Sequence, residues 1–284
     1  PADEANRTAR GNNPLCGDRV TVHLKINNDV IEDARFEARG CAISLASASM
    51  MTEMIKGKSE TEARELFSAK YDTQIEGPVI VEIFPEKKDF AVRTFGIPGG
   101  DGYMGVCFGK LITANSPKSL IGFQQNWQSL LWHEYCHVIT LQKTLNKMPR
   151  WFSEGISVYE ERLRHSSWGE QMTPEYRDFI LGGEMTPIER LSMAFIVPKS
   201  PEHIQFAYYQ SSLVVEYLVK NFSEACISNI LRDLGQGVFI NIAIEKHAVP
   251  LAKLEADFAE FATDLAKAFA AEADLAKPSP LEVN

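Results

Sequence analysis

The sequence predicts an α+β protein. Three observations carry that reading. Alternating or apolar strand-like runs (Val20–Ile26, Val30–Ala38, Val79–Phe84) are confined to the first part of the chain. Runs with helical spacing dominate after Glu161. Between them lies His133-Glu134-Tyr135-Cys136-His137, an H-E-x-x-H pattern inside an apolar-periodic stretch. Period two places alternate side chains on opposite faces of a sheet, and period 3.6 lines one face of a helix.

In chain order, Val20–Ile26 alternates like a strand, Asn27-Asn28-Asp29 reads as a turn, and Val30–Ala38 supplies the partner strand or strands. Ser47–Ile55 begins a helix, and Ser59-Glu60-Thr61-Glu62 opens another with a serine cap and an acidic first turn. Tyr71–Pro78 is polar and turn-rich, which sets a boundary between segments 1–70 and 71–284. Val79–Phe84 and Phe90–Phe95 are predicted strands, and a glycine-rich loop from Gly99 enters a further one. A small sheet over Val79–Thr113 is expected beside the H-E-x-x-H helix, which Asn126 caps. Pro149 stands at the entrance of the next helix. Further helices are predicted around Pro174–Leu181, Pro187–Phe195, Gln205–Phe222, Glu224–Leu234, Ile240–Lys246 and Leu251–Leu275.

The chemistry concentrates at the H-E-x-x-H helix. Positions i and i+4 share a helix face, so His133 and His137 can hold one metal ion between them. Glu154, on the next predicted helix, supplies a third ligand. Two imidazoles and one carboxylate suit Zn2+ and leave a fourth position open, the mark of a catalytic site. Glu134 is placed to act as general base on a water.

Two resemblances follow from these residues. Leu131–Leu141 and Pro149–Glu161, with Trp151-Phe152-Ser153-Glu154-Gly155, resemble the gluzincin zinc peptidases, in particular the peptidase MA-like family, over about Pro78–Pro278. Metzincins need a Gly and a third His where this chain has Thr140 and Lys143. The resemblance implies zinc-dependent cleavage of a peptide or protein substrate. It implies a supporting carboxylate for a zinc histidine at Glu161, with Glu160 its surface neighbour. It also implies an oxyanion-binding tyrosine, for which Tyr209 is the first choice and Tyr208 the second. The strand before the zinc helix is expected to be a sheet edge that pairs with extended substrate. Related aminopeptidases carry an acidic residue where this chain has Gly105-Val106-Cys107-Phe108-Gly109, so an endopeptidase is the closer expectation.

The second resemblance is at the amino terminus. Asn13-Pro14-Leu15-Cys16-Gly17-Asp18 and Gly40-Cys41-Ala42-Ile43 are similar to the U-type iron–sulfur cluster scaffold family over about Asn13–Phe67. That implies a second metal set at Cys16, Asp18 and Cys41, and an alternative function as a cluster or zinc carrier. The family's third cysteine has no counterpart in its usual context: Cys107 sits in a glycine-rich strand, Cys136 inside H-E-x-x-H, and Cys226 in a helix.

Composition excludes some classes. The formal net charge of −9 over 284 residues argues against nucleic-acid or anionic-membrane binding. No apolar run reaches the length of a membrane span, and no leader is visible, although a start at Pro1 suggests trimming. Five cysteines at irregular spacing do not form a disulfide framework, which slightly favours the cytoplasm. His23, His165, His203 and His247 are expected to be surface or satisfied histidines. The oligomeric state is not legible.

Overall fold

Strands fall in the first part of the chain and helices dominate the second, giving a mixed α+β architecture in a computed structural model. The structure describes residues 5–12, 19–28, 30–39, 70–71, 73, 79–84, 87–96, 104–115 and 127–275. Its contacts divide the chain into two units, Pro1–Leu130 and Leu131–Asn284. The sequence boundary at 70/71 falls within the first of these.

In the first unit, β1 (Arg7–Asn12), β2 (Arg19–Asn27) and β3 (Val30–Arg39) form an antiparallel meander in the order β1-β2-β3. The β2–β3 turn places Asn28 at φ 47°, a left-handed conformation that asparagine tolerates better than most residues. The register shifts between Lys25 and Ile26, a bulge beside that turn. β4 (Ile80–Phe84), β5 (Gly105–Phe108) and β6 (Leu111–Asn115) form a second sheet in the order β4-β6-β5. β6 pairs parallel with β4 and antiparallel with β5.

Two expectations are corrected here. Phe90–Phe95 is not a strand but lies in helix α1 (Lys87–Phe95). Phe90 and Ala91 are buried while Val92 and Arg93 are exposed, a helical rather than alternating pattern. The strand nearest in sequence to the H-E-x-x-H helix, β6, is central rather than an edge. The edge beside it is β5, which carries Gly105–Phe108. The helices expected at Ser47–Ile55 and from Ser59, and the cap at Asn126, lie outside the described residues.

The second unit is helical. α2 (Trp127–Thr144), whose first turn belongs to the first unit, enters it at Leu131. α3 (Arg150–Arg164), α4 (Pro174–Leu181), a 3-10 turn (Ile188–Arg190), α5 (Met193–Ile196), α6 (Pro201–Phe222), α7 (Glu224–Gly235), α8 (Ile240–His247) and α9 (Leu251–Leu275) follow. The single helix expected over Pro187–Phe195 is thus two short pieces. Among the described residues, no helix is long and apolar enough to cross a membrane.

α3 is the axis of this unit. Every residue from Trp151 to Glu161 is buried. Its apolar residues Trp151, Phe152, Ile156 and Val158 join a core with Leu213, Val214 and Leu218 of α6, Ile230 and Leu231 of α7, and Phe258 of α9. Burying a Leu, Ile or Phe side chain contributes roughly 1.5–3 kcal/mol. Ser153, Glu154, Ser157, Glu160 and Glu161 of α3 are buried as well, and a buried carboxylate is costly unless a partner compensates it. Those partners form the site described next. His165, His203 and His247 bond to Ser167, to Ser200 and Glu184, and to Asp233 respectively, as satisfied histidines.

Candidate metal centre

α2 and α3 are joined by a tight turn in which Leu145 and Asn146 take left-handed φ values of 52° and 58°. The reversal brings the buried face of α3 onto the His133 and His137 face of α2. The two imidazole rings lie one helical turn apart, centroids 4.7 Å, nearly perpendicular at 80°. Glu154 projects toward both. Its Oε2 is 3.2 Å from His133 Nε2 and 3.2 Å from His137 Nε2. One donor atom from each of the three residues lies within 4.8 Å of the others. A tetrahedral ion with ligand bonds of ~2.0–2.1 Å separates its ligand atoms by about 3.3–3.4 Å, close to these spacings.

The outer ring nitrogens are also held. His133 Nδ1 is 3.1 Å from Glu161 Oε2. His137 Nδ1 is 2.8 Å from Ser153 Oγ and 3.3 Å from Ser157 Oγ. Ser157 Oγ also donates to the His133 carbonyl at 3.2 Å. Outer partners of this kind fix the tautomer and aim the inner nitrogen.

These contacts test whether the donor set suits a cation. His133 has a carboxylate oxygen on each ring nitrogen. A neutral imidazole has one N–H and can satisfy only one of them. The inner contact therefore requires a second proton or a cation between the ligands. Burial works against that proton, yet the charges of Glu161 and Glu154 and their hydrogen bonds raise the His133 pKa well above its usual value. Burial alone would raise the Glu154 pKa, but bonds from His133 and His137 hold it well below the usual carboxylate range. The pocket favours positive charge between two imidazoles and a carboxylate, which is what a divalent ion supplies.

Glu134 completes the arrangement. It is buried, and its Oε2 has no hydrogen-bond partner. Burial pushes its carboxyl up, while the nearby histidines pull the other way. A buried carboxylate whose pKa is raised and whose oxygen is left unsatisfied is suited to accept a proton.

The two tyrosines separate. Tyr209, the sequence-based first choice, is buried in the core, stacked on Tyr176 with centroids 5.3 Å apart. Tyr208 points instead toward the start of α3, where Arg150 Nη2 donates to its hydroxyl at 3.1 Å. The same guanidinium donates through Nε to Glu154 Oε1 at 3.2 Å. The two side chains diverge because neighbours on a helix point about 100° apart. Glu160, expected at the surface, is buried. Sequence reasoning missed Arg150, Ser153 and Ser157. Arg150 stands four residues before Glu154, and Ser153 and Ser157 are likewise four apart, so helical spacing was the available signal.

Cys16, Asp18 and Cys41 lie outside the described residues. Cys107, Cys136 and Cys226 lie on separate elements and are not joined in disulfides with one another. Burial pushes the Cys226 thiol up to about 11.

Comparison with known proteins bears on the amino-terminal segment. The family described as "NifU-like N terminal domain" matches residues 1–91, a wider span than the motifs at Asn13–Phe67. The zinc-dependent sulfurtransferase SufU of Bacillus subtilis is 62% identical over 47 residues, 16% of this chain and 32% of that protein. The iron–sulfur cluster assembly scaffold protein IscU of Thermotoga maritima is 46% identical over 66 residues, 23% of this chain and 44% of its own. IscU of Escherichia coli is 40% identical over 68 residues, 24% of this chain and 53% of its own. The chain thus spans about a third to a half of the length of these relatives. Its amino-terminal segment is similar to the NifU-like scaffold domain.

Proposed function

We propose that the second unit is a zinc-dependent peptide-bond hydrolase, more an endopeptidase than an aminopeptidase. The observation that carries this is the convergence of His133 Nε2 and His137 Nε2 on one oxygen of Glu154. Zinc bound there supplies Lewis acidity and lowers the pKa of a water toward neutrality. Glu134 accepts the proton of the attacking water and returns it to the departing amine. Glu161, Ser153 and Ser157 keep the imidazoles aimed inward. Tyr208 accepts from Arg150 through its oxygen and carries its own O–H to donate toward the developing oxyanion. The preference for internal cleavage comes from the sequence alone: Gly105–Gly109 carries no carboxylate where related aminopeptidases have one.

A second reading is favoured by the similarity of residues 1–91 to the scaffold domain. In it, Cys16, Asp18 and Cys41 carry zinc or an iron–sulfur cluster, with the amino-terminal segment as the working part. The comparisons support this reading, whereas the hydrolase rests on the geometry at α2 and α3. Zinc is common to both, since one relative is named as zinc-dependent.

Elemental analysis separates them. The hydrolase reading expects one zinc per chain that survives Cys16→Ala and disappears in His133→Ala. Iron with sulfide, or metal lost with Cys16→Ala, favours the carrier. Casein hydrolysis by the zinc-loaded chain, abolished in Glu134→Gln with zinc retained, tests the reaction. Full activity in that variant removes Glu134 as the base.

A further inference from the structure

We propose that Arg150 is a positioning residue for the metal centre, bridging Glu154 and Tyr208 so that the carboxylate offers a single oxygen to the ion. The inference rests on the hydrolase reading and adds a residue to it. Arg150 is the first residue of α3, half-exposed at the rim of the site. Its Nε meets Glu154 Oε1 at 3.2 Å and its Nη2 meets the Tyr208 hydroxyl at 3.1 Å. The guanidinium carbon lies 5.1 Å over the Phe195 ring, and that ring meets Tyr208 edge-on at 5.1 Å. One planar cation is therefore fixed on three sides.

The consequence concerns the two oxygens of Glu154. Oε2 faces both imidazoles, and Oε1 is occupied by Arg150. A carboxylate without that second bond is free to rotate and present both oxygens to an ion, which raises the coordination number at the expense of the open position. Arg150 opposes the rotation. It also sets the distance between Tyr208 on α6 and Glu154 on α3. A lysine can meet one of these acceptors but lacks the planar fork that spans both.

The test uses the full chain, with zinc and Co2+ as probes. In Arg150→Gln the dissociation constant for zinc rises about tenfold to a hundredfold, the usual effect of losing an outer partner of a ligand. Arg150→Lys falls between this variant and the parent. The visible absorption of the Co2+ form weakens in Arg150→Gln as coordination expands. The melting temperature of the zinc-free chain stays near that of the parent, which a merely structural role for Arg150 would not allow. Tyr208→Phe, which removes only one anchor of the bridge, changes the Co2+ spectrum in the same direction. Parental zinc affinity and Co2+ spectrum in both Arg150→Gln and Tyr208→Phe overturn the inference while leaving the hydrolase reading intact. A parent chain that binds no zinc, or whose zinc survives His133→Ala, overturns both.

Discussion

Gly155 is where the fold and the site depend on the same atom. It follows Glu154 on α3 and faces Ser211 of α6. A Cβ at Gly155 would lie 2.7 Å from the Ser211 carbonyl oxygen, 2.9 Å from its carbon and 3.1 Å from its Cβ. In an open helix, Gly→Ala stabilises by about 0.8–1 kcal/mol. Here the obstacle is backbone of a packed helix, which cannot swing aside as a side chain can. Relieving the contact means moving α3 away from α6, and overpacking of this kind costs typically 1–3 kcal/mol. With the clash at the upper end of that range, Gly155→Ala loses a net ~2 kcal/mol. The same displacement carries Arg150 away from Tyr208 and shifts Glu154 relative to the histidines, so zinc affinity falls together with stability. Urea unfolding of the zinc-free chain gives the first quantity and competition with a chelating dye gives the second. A variant as stable as the parent, or more stable, refutes the close α3–α6 approach on which the site geometry is built.

Other outcomes are expected. Glu161→Gln removes the carboxylate on His133 Nδ1 and weakens zinc binding roughly tenfold to a hundredfold, measured by chelator competition. Tyr208→Phe lowers kcat for a peptide substrate by about 10²–10³, as loss of an oxyanion donor does, whereas Tyr209→Phe leaves kcat near the parent value; the reverse order would return the role to Tyr209. Asp233 accepts from Lys246 Nζ at 2.7 Å and His247 Nε2 at 2.8 Å. The bond from Lys246 is the main cause that holds its carboxyl below the ordinary range; burial opposes it, and the bond from His247 adds to the lowering. A depressed folded pKa gives stability that is present above the unfolded value, ~3.9, and is lost as pH falls through the folded one. Asp233→Asn therefore loses roughly 1–3 kcal/mol at neutral pH and shows a flatter acid limb in pH-dependent unfolding.

What the sequence made legible follows from how far apart the cooperating residues lie. His133 and His137 are one turn apart, so local geometry alone aligns them, and the structure places them as the spacing implied. Glu154 required only a helix–turn–helix, and Pro149 marked where the second helix begins. Tyr208 and Tyr209 show where local reasoning stops. A motif alignment fixes a position to within a residue, but one residue on a helix is about 100° of direction. What separates the two side chains is the rotation of α6 about its axis, and that signal is in the sequence. Phe206, Tyr209 and Leu213 recur at i, i+3 and i+7, and all three are buried. Tyr209 belongs to that stripe and Tyr208 does not. The α1 error has the opposite origin: Phe90–Phe95 is a short run whose aromatic and β-branched residues suit a strand, and only tertiary burial of Phe90 and Ala91 favours the helix. β1 went unforeseen because Arg7-Thr8-Ala9-Arg10-Gly11-Asn12 has no apolar alternation, and its place comes from backbone pairing with β2. Arg150 depends on α5 and α6 as much as on α3, since Phe195 and Tyr208 hold its far side. A pattern within one helix can announce a ligand set, but the residue that restrains a ligand is fixed by three elements meeting.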